Sequence, residues 1–437
     1  MTRFNSSTGS ALTKLTEKVS KGRINFKEFD LPNKLHCILH QDNRNPIVNL
    51  TIGYKVGSKD EEKNKRGIAH LFEHLMFQGS ENVKKNEHFG HIMKCGGNSN
   101  AFTMQDVTIY FDSMPSNNLE MALWLESDRM NSLDLTSSNL ENQKSVVIEE
   151  KMQRYDNAPY GTMFHNICEN IFRGSNYEFS VIGETDDINS FSVKEAVDFH
   201  SNYYSPDNSV LIITGDIDLE KTGELIHKYF ADINKQNLLE RKENIITGFK
   251  KETELVIHDN VSLPMLCLCY QLPKAGSDEG YPIEYFIEMI ANNKSSRLYK
   301  KLVYEKKMVK SVHASKYMLE DGGVLFFRVI INPGISVDDV KSEISHALED
   351  FATNGCSDEE FQTIKNQLQF MNTIKNLKMI NISIETAFNY LYFRDISRIN
   401  TEIEKYLKVS KQDVTDSVNN FIVNSKKLTL IYLPMNQ

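Results

Sequence analysis

One pattern occurs twice in this chain, and it limits the fold more than any other feature. "IVNLTIGYKVGSKDE" (47–61) is answered by "PMLCLCYQLPKAGSDEG" (264–280), each an apolar strand running into a Lys-x-Gly-Ser turn with acidic residues. An apolar helix follows each copy, "GIAHLFEHLMFQGS" (67–80) and "YPIEYFIEMIANN" (281–293). A repeat on this scale predicts two α+β domains of similar fold. The 437 residues are also too many for a single hydrophobic core and suit two. A polar, charge-rich stretch, "INKQNLLERKENIITGFK", marks their junction. The expected division is 1–235 for the first domain, 236–250 for a linker and 251–437 for the second.

The two helices differ in a telling way. A gapped alignment puts Tyr285, Glu288 and Met289 of the second helix where the first has His70, Glu73 and His74. Around those three, Ile68, Ala69, Leu71, Phe72, Leu75, Met76 and Phe77 make a buried helix. A buried imidazole or carboxylate is costly unless a partner satisfies it. His70 and His74 are one turn apart, with Cβ atoms about 6 Å from each other on one face. Each can therefore give one nitrogen to a single metal ion. Zinc held by two imidazoles and a carboxylate keeps an open position for water, the arrangement of a catalytic site. Glu73 lies between the histidines and can take a proton from that water without being a ligand. The spacing H-x-x-E-H inverts the commoner H-E-x-x-H. The third ligand must come from elsewhere, and "SVVIEEKMQRYDN" offers Glu149 and Glu150 on a second apolar helix. Val146 and Glu150 share a face of it at i, i+4, but the residues alone leave the choice between the two glutamates open.

Several function classes are disfavoured. A net charge of −9 argues against nucleic-acid binding, which needs clustered positive charge. No apolar run approaches the roughly 20 residues that span a bilayer. The N-terminal "MTRFNSSTGSALTKLTEKVSKGR" lacks the contiguous apolar segment of a secretory signal. It reads as a frayed leader, and the expected compartment is the cytoplasm. The six cysteines form no C-x-x-C pair. Cys267 and Cys269 alternate along a strand and read as small buried hydrophobes.

The H-x-x-E-H helix followed by a V-V-x-E-E helix resembles the inverzincin peptidases. These form the zinc metallopeptidase family of pitrilysin, insulin-degrading enzyme and the mitochondrial processing peptidase. The blocks "GGNSNAFTMQDVTIYFDSMP", "MALWLESDRM", "VIGETDDI" and "NYYSPDNSVLIITGDID" extend the resemblance over nearly the whole chain. It implies an α+β fold of two homologous domains, each a mostly antiparallel sheet packed with helices. It implies Zn2+ carried by His70, His74 and Glu150, with Glu73 as general base, and so selects Glu150 over Glu149. It also implies an endopeptidase for extended, unfolded peptides, which add as a strand to the edge formed by Asn98 to Thr103. Asn98, Ser99, Asn100 and Ala101 are then substrate-binding, Asn100 and Ala101 lie nearest the scissile bond, and Phe77 lines an apolar subsite.

Two departures from the family pattern stand out. The carboxylate that usually supports the third ligand from two turns earlier is here Gln143, which brings no negative charge. Complete active sites in the family also use an Arg and a Tyr of a C-terminal domain to hold the substrate backbone and the oxyanion. The matching segment, "LVYEKKMVKS", has Val303 and Lys310 there, while Arg297 and Tyr299 lie nearby at the wrong spacing. The resemblance therefore implies a half-length, zinc-bearing subunit of a heterodimer, enclosing a chamber with a homologous metal-free subunit that supplies the Arg and Tyr. A self-sufficient homodimer and a non-catalytic core or scaffold subunit are the alternatives.

Overall fold

A computed structural model of the protein describes residues 24–234, 241 and 244–435. The predicted leader and part of the predicted linker lie outside these residues. The first sheet has six strands: β1 (Lys27–Asp30), β2 (His36–Gln41), β3 (Ile47–Tyr54), β4 (Asn98–Thr103), β5 (Thr108–Pro115) and β6 (Ser209–Gly215). Their order is β1-β2-β6-β3-β5-β4. The second sheet comprises β7 (Thr253–Asp259), β8 (Met265–Leu272), β9 (Val309–Met318), β10 (Gly323–Ile331) and β11 (Lys427–Pro434), in the order β7-β11-β8-β10-β9.

The repeat seen in the sequence is a repeat of topology. In each sheet the first strand of a five-strand unit pairs parallel with the last, β2 with β6 and β7 with β11. The remaining neighbours pair antiparallel in the same succession, so β8 matches β3, β10 matches β5 and β9 matches β4. The first sheet adds only β1. The fold is thus α+β, with two mostly antiparallel sheets packed with helices. β6 and most of β3 and β8 are buried along their length because helices cover both faces, which is why they read as near-continuous apolar runs.

Four helices of the first half matter below: α1 (Ile68–Leu75), α2 (Glu87–Lys94), α3 (Leu119–Asn131) and α4 (Ser137–Lys151). α1 stops short of Gly79, because Phe77 and Gln78 donate to His74 and Leu75 in tight turns instead of continuing the helix. The stretch "NAFTMQDVTIYFDSMP" (100–115), whose pattern reads as strand closed by Pro115, falls within the hairpin β4–β5. Gln105 and Asp106 at its tip are fully buried.

The covering of the sheets' other faces was not legible from the repeat. Helix Met163–Ile171, from the first half of the chain, lays Ile167, Cys168 and Ile171 against Cys267, Cys269, Leu428 and Leu430 of the second sheet. Helix Met379–Phe393, from the second half, lays Ile382, Ala387 and Leu391 against Ile38, Val210 and Ile212 of the first. Gly53 on β3 permits that approach, since a Cβ there would lie 2.7 Å from Leu391 Cδ1. Each sheet is therefore completed by a helix from the opposite half.

A buried ionic cluster joins the halves at the β4–β5 tip. Lys59 Nζ contacts Asp106 Oδ1 at 2.8 Å, Glu320 Oε2 at 2.5 Å and Asp321 Oδ2 at 3.1 Å. Asp106 also accepts hydrogen bonds from the Tyr177 and Tyr392 hydroxyls and from the Glu320 backbone N–H. Arg241, in the predicted linker, reaches Asp60 and Glu320. Removing one member leaves buried charge uncompensated. Lys59→Met is expected to lower stability by about 3–5 kcal/mol in urea unfolding. A midpoint shift below about 1 kcal/mol would show that Arg241 alone neutralises the cluster.

Candidate functional site

α1 is placed by its entry. Gly67 sits at φ +98°, and a Cβ there would come within 2.8 Å of the Ile182 carbonyl oxygen. Buried Glu61 accepts the backbone N–H groups of Gly67 and Ala69, each at 3.0 Å, and so caps the exposed donors at the helix start. Burial pushes the Glu61 carboxyl up to about 8, against the pull of those two donors. α1 then buries Ile68, Leu71, Phe72 and Leu75 in the core and turns His70, Glu73 and His74 the other way.

α4 begins at Thr136, whose hydroxyl accepts the Asn139 N–H. It buries Leu140, Gln143 and Val147, and Glu150 continues that stripe one turn beyond Val147. The stripe decides between the two glutamates. Glu150 faces α1, whereas Glu149 is exposed and accepts a hydrogen bond from Gln153. Val146 is a poor guide to the inward face, being 42% exposed.

Three donors converge where α1 meets α4. His74 Nε2 lies 3.3 Å, and His70 Nε2 3.9 Å, from Glu150 Oε2. The rings are 4.9 Å apart and inclined at 71°. One ligand atom from each residue falls within 4.8 Å of the others. Zinc bonds of about 2.0–2.2 Å would separate tetrahedral donors by roughly 3.4 Å, so this set fits the ion after small adjustments. Burial, then the neighbouring His74, pushes His70 down to about 4, which keeps its imidazole neutral and ready to ligate near pH 7. Contact with His74 holds Glu150 below the usual carboxylate range. Burial raises Glu73, while the Thr103 hydroxyl, donating to Glu73 Oε2 at 2.6 Å, opposes the rise. The site thus presents a neutral imidazole, an ionised carboxylate and a carboxylate tuned toward proton transfer.

These groups line a cleft of about 590 Å³ together with Phe77, Phe89, Asn100, Ala101, Phe102 and Thr103. Asn98 and Ser99 are not among the lining residues. Asn98 is exposed, and Ser99 turns inward opposite Asp112, leaving only its main chain to offer a ligand. Phe77 is 8% exposed and does two jobs, packing in the core against Phe89 at 4.4 Å and forming part of the cleft wall. Gln143 lines the cleft and donates to its neighbour Asn142 at 3.0 Å.

Of the lining residues that sequence reasoning missed, Thr103, Arg154, Tyr155 and Tyr317 carry polar groups beside the cluster or across from it in the chain. Thr103 holds Glu73, and its place at the end of the candidate edge strand was a usable signal. Arg154 is four residues beyond Glu150, a helical spacing that also could have been read, and its Nη1 lies 2.8 Å from Glu150 Oε1. Tyr155 follows it. Tyr317 comes from β9 in the other domain, and no local pattern announces it. Its hydroxyl donates to Gln105 at 2.6 Å and its ring meets Phe164 edge-on. Val303 packs against the second core and Lys310 is exposed on β9. Neither lines the cleft, and Arg297 is engaged with Glu360.

Comparison with known proteins adds an independent view. A family model described as insulinase (peptidase family M16) matches residues 37–185, and one described as the peptidase M16 inactive domain matches 190–368. The chain is 28% identical over 400 residues to the zinc protease PqqE of Helicobacter pylori, covering 90% of this chain and 89% of that protein. It superposes on the crystal structure of a protease from Helicobacter pylori with a TM-score of 0.88 and 26% identity, over 94% of this chain and all of that one. An M16 inactive domain from Pseudomonas fluorescens shares the fold, with a TM-score of 0.84 at 14% identity, over 94% of this chain and 98% of that one.

The convergence of donors predicts a metal stoichiometry. Zinc titration of the metal-stripped chain is expected to saturate at about one equivalent. His70→Ala, His74→Ala and Glu150→Ala should each weaken binding at least about tenfold, and Glu149→Ala should leave it unchanged. Calorimetry with metal analysis reads both.

Proposed function

The chain belongs to peptidase family M16, and from that premise we propose that it is a zinc endopeptidase acting on extended, unfolded peptides. The observation that carries this reading is the link between base and strand. Glu73, beside the three-donor cluster, is held by Thr103 of β4, the strand whose outer edge is unpaired among the described residues. A free edge offers main-chain donors and acceptors to an added strand of many sequences. The added peptide runs past Asn100 and Ala101, beside His70, Glu73 and His74.

Zinc, when bound by His70, His74 and Glu150, would polarise the scissile carbonyl and acidify water in its open position. The protein's own groups do the rest. Glu73 takes a proton from the attacking water and passes it to the amide nitrogen that leaves. Phe77 and Phe89 offer an apolar wall to a substrate side chain.

The proposed partner is a homologous, metal-free subunit that closes over the cleft as a heterodimer, with a homodimer as the alternative. A scaffold role has no use for a base tethered to an open strand edge. Among the described residues, no helix is long and apolar enough to cross a membrane.

Two measurements test the reading. Glu73→Gln should retain zinc and lose about 10²- to 10⁴-fold in peptide hydrolysis; equal activity would remove Glu73 from the chemistry. Thr103→Val deletes a hydrogen bond to the charged form of Glu73, so the pKa of that group should rise further. The acidic limb of the kcat/KM profile should therefore move to higher pH, with the alkaline limb unchanged.

A further inference from the structure

The cleft wall formed by Phe77 rests on buried charge. α3 places Ala122, Leu123, Leu125 and Met130 in the first core, yet it carries Glu126 and Arg129 inward as well, each only 1% exposed. The two stand three residues apart on the helix and join as a fork. Arg129 Nε donates to Glu126 Oε2 at 2.9 Å, and Nη2 donates to Oε1. Asp112 of β5, fully buried, brings a second carboxylate. His88 Nε2 of α2 stands 3.7 Å from Glu126 and 3.9 Å from Asp112, too far to bond either firmly.

His88, Asp112 and Glu126 offer ligand atoms within 4.8 Å of one another, the spacing of a metal set. A cation already fills that role, because both Glu126 oxygens are bonded to the Arg129 guanidinium. That guanidinium fits the corner between two rings. Its Cζ lies 4.8 Å from the Phe77 ring centre and 4.5 Å from that of Tyr110, and the rings stand 5.8 Å apart at 56°. Phe77 lines the cleft from the tight turn that follows α1. Tyr110 on β5 pairs with Ala101 of β4, another lining residue. Arg129 thus lies behind the apolar wall on one side and behind the candidate substrate strand on the other.

An aliphatic side chain at 129 would fill the core without the cost of taking charges out of water. Apolar contacts are non-directional, however, and would let the Phe77 ring slide or turn. A guanidinium held by two bonds has one plane, and a ring lying against it has one place. We propose that Arg129 is a positioning residue for the apolar subsite: held by Glu126, it fixes the Phe77 ring from behind and so sets which substrate side chains fit beside His70 and His74. This rests on the peptidase reading above and adds what the cleft selects by. Arg129 touches no substrate and acts only through Phe77.

The test measures kcat/KM for the zinc-loaded chain in the assembly that cleaves, alone or with a homologous subunit. Unstructured peptides carry Phe or Ala at each of the two positions flanking the cleaved bond in turn. Wild type should prefer Phe at one of them by at least about tenfold. Arg129→Lys keeps the charge and loses the planar fork. At that position it should lower kcat/KM about tenfold on the Phe peptide and by less than about twofold on the Ala peptide. In a Phe77→Ala background the same substitution should slow neither peptide further. Zinc affinity should be unchanged throughout. Should Arg129→Lys not fold, Glu126→Gln, which loosens the fork, carries the same expectations. Equal losses on both peptides overturn the proposal, since Arg129 would then only stabilise the fold. So do unchanged rates on both, and so does a further loss once Phe77 is gone. A wild type indifferent to Phe and Ala removes the subsite while leaving the peptidase reading standing. A wild type that cleaves no peptide in any assembly removes both.

Discussion

The candidate site follows from one contact, the approach of α1 to α4 that sets two imidazoles against a carboxylate. Each helix is held by ordinary means: α1 by a buried apolar stripe and the Glu61 cap, α4 by Leu140 and Val147 and the Thr136 cap. The polar groups lie on the faces left over once those stripes are buried. Isolated, His70 and Glu150 would be expensive to desolvate. Together they relieve one another only in part, since His70 remains neutral and sits 3.9 Å from the carboxylate oxygen. A divalent cation between them would supply the missing positive charge. The three-donor cluster is thus built into packing that the apolar residues already determine.

The substrate edge is secured by a different device. Among the described residues β4 is unpaired along its outer side, yet its hairpin tip is pinned by Asp106, which Lys59, Tyr177 and Tyr392 all hold. Lys59 belongs to the turn that leads from β3 toward α1, so one cluster fixes both the strand and the approach to the metal helix. Glu320 and Asp321 bring the β9–β10 turn of the second domain into the same cluster. Thr103 then ties β4 directly to Glu73. An edge strand held at its tip and inner side can accept a peptide without refolding, which keeps the ordering cost of binding low.

The sequence revealed those parts of the design that are local. The strand–turn–helix repeat announced two like domains because its apolar spacing is conditioned by sheet and helix geometry alone. His70, Glu73 and His74 were visible because their polarity conflicts with the apolar residues around them. The two glutamates needed the tertiary fold, and the useful clue was the stripe Leu140, Gln143, Val147, not Val146. Arg154 stood at a readable spacing from Glu150 but looks like any exposed helical arginine. Tyr317 and the crossed helices Met163–Ile171 and Met379–Phe393 were beyond reach, since nothing local tells an apolar helix which of two similar sheets it will cover.

Only one copy of the repeat keeps the three-donor cluster. In the second helix the positions of His70 and His74 are taken by Tyr285 and Met289, both buried. Tyr285 donates to the Tyr406 carbonyl at 2.8 Å and stacks on Phe361, so its position now serves packing. Glu288 remains, but it accepts hydrogen bonds from Asn292 and Gln367, not from a strand hydroxyl. The second domain contributes through its strands: Tyr317 of β9 lines the cleft, and the β9–β10 turn ties the domains together. The strand β9 is the counterpart of β4, so the edge strands of both copies contribute to the one cleft. Duplication supplied two equivalent frames, and exchanging one helix between them fixed their relation firmly enough for a single shared site.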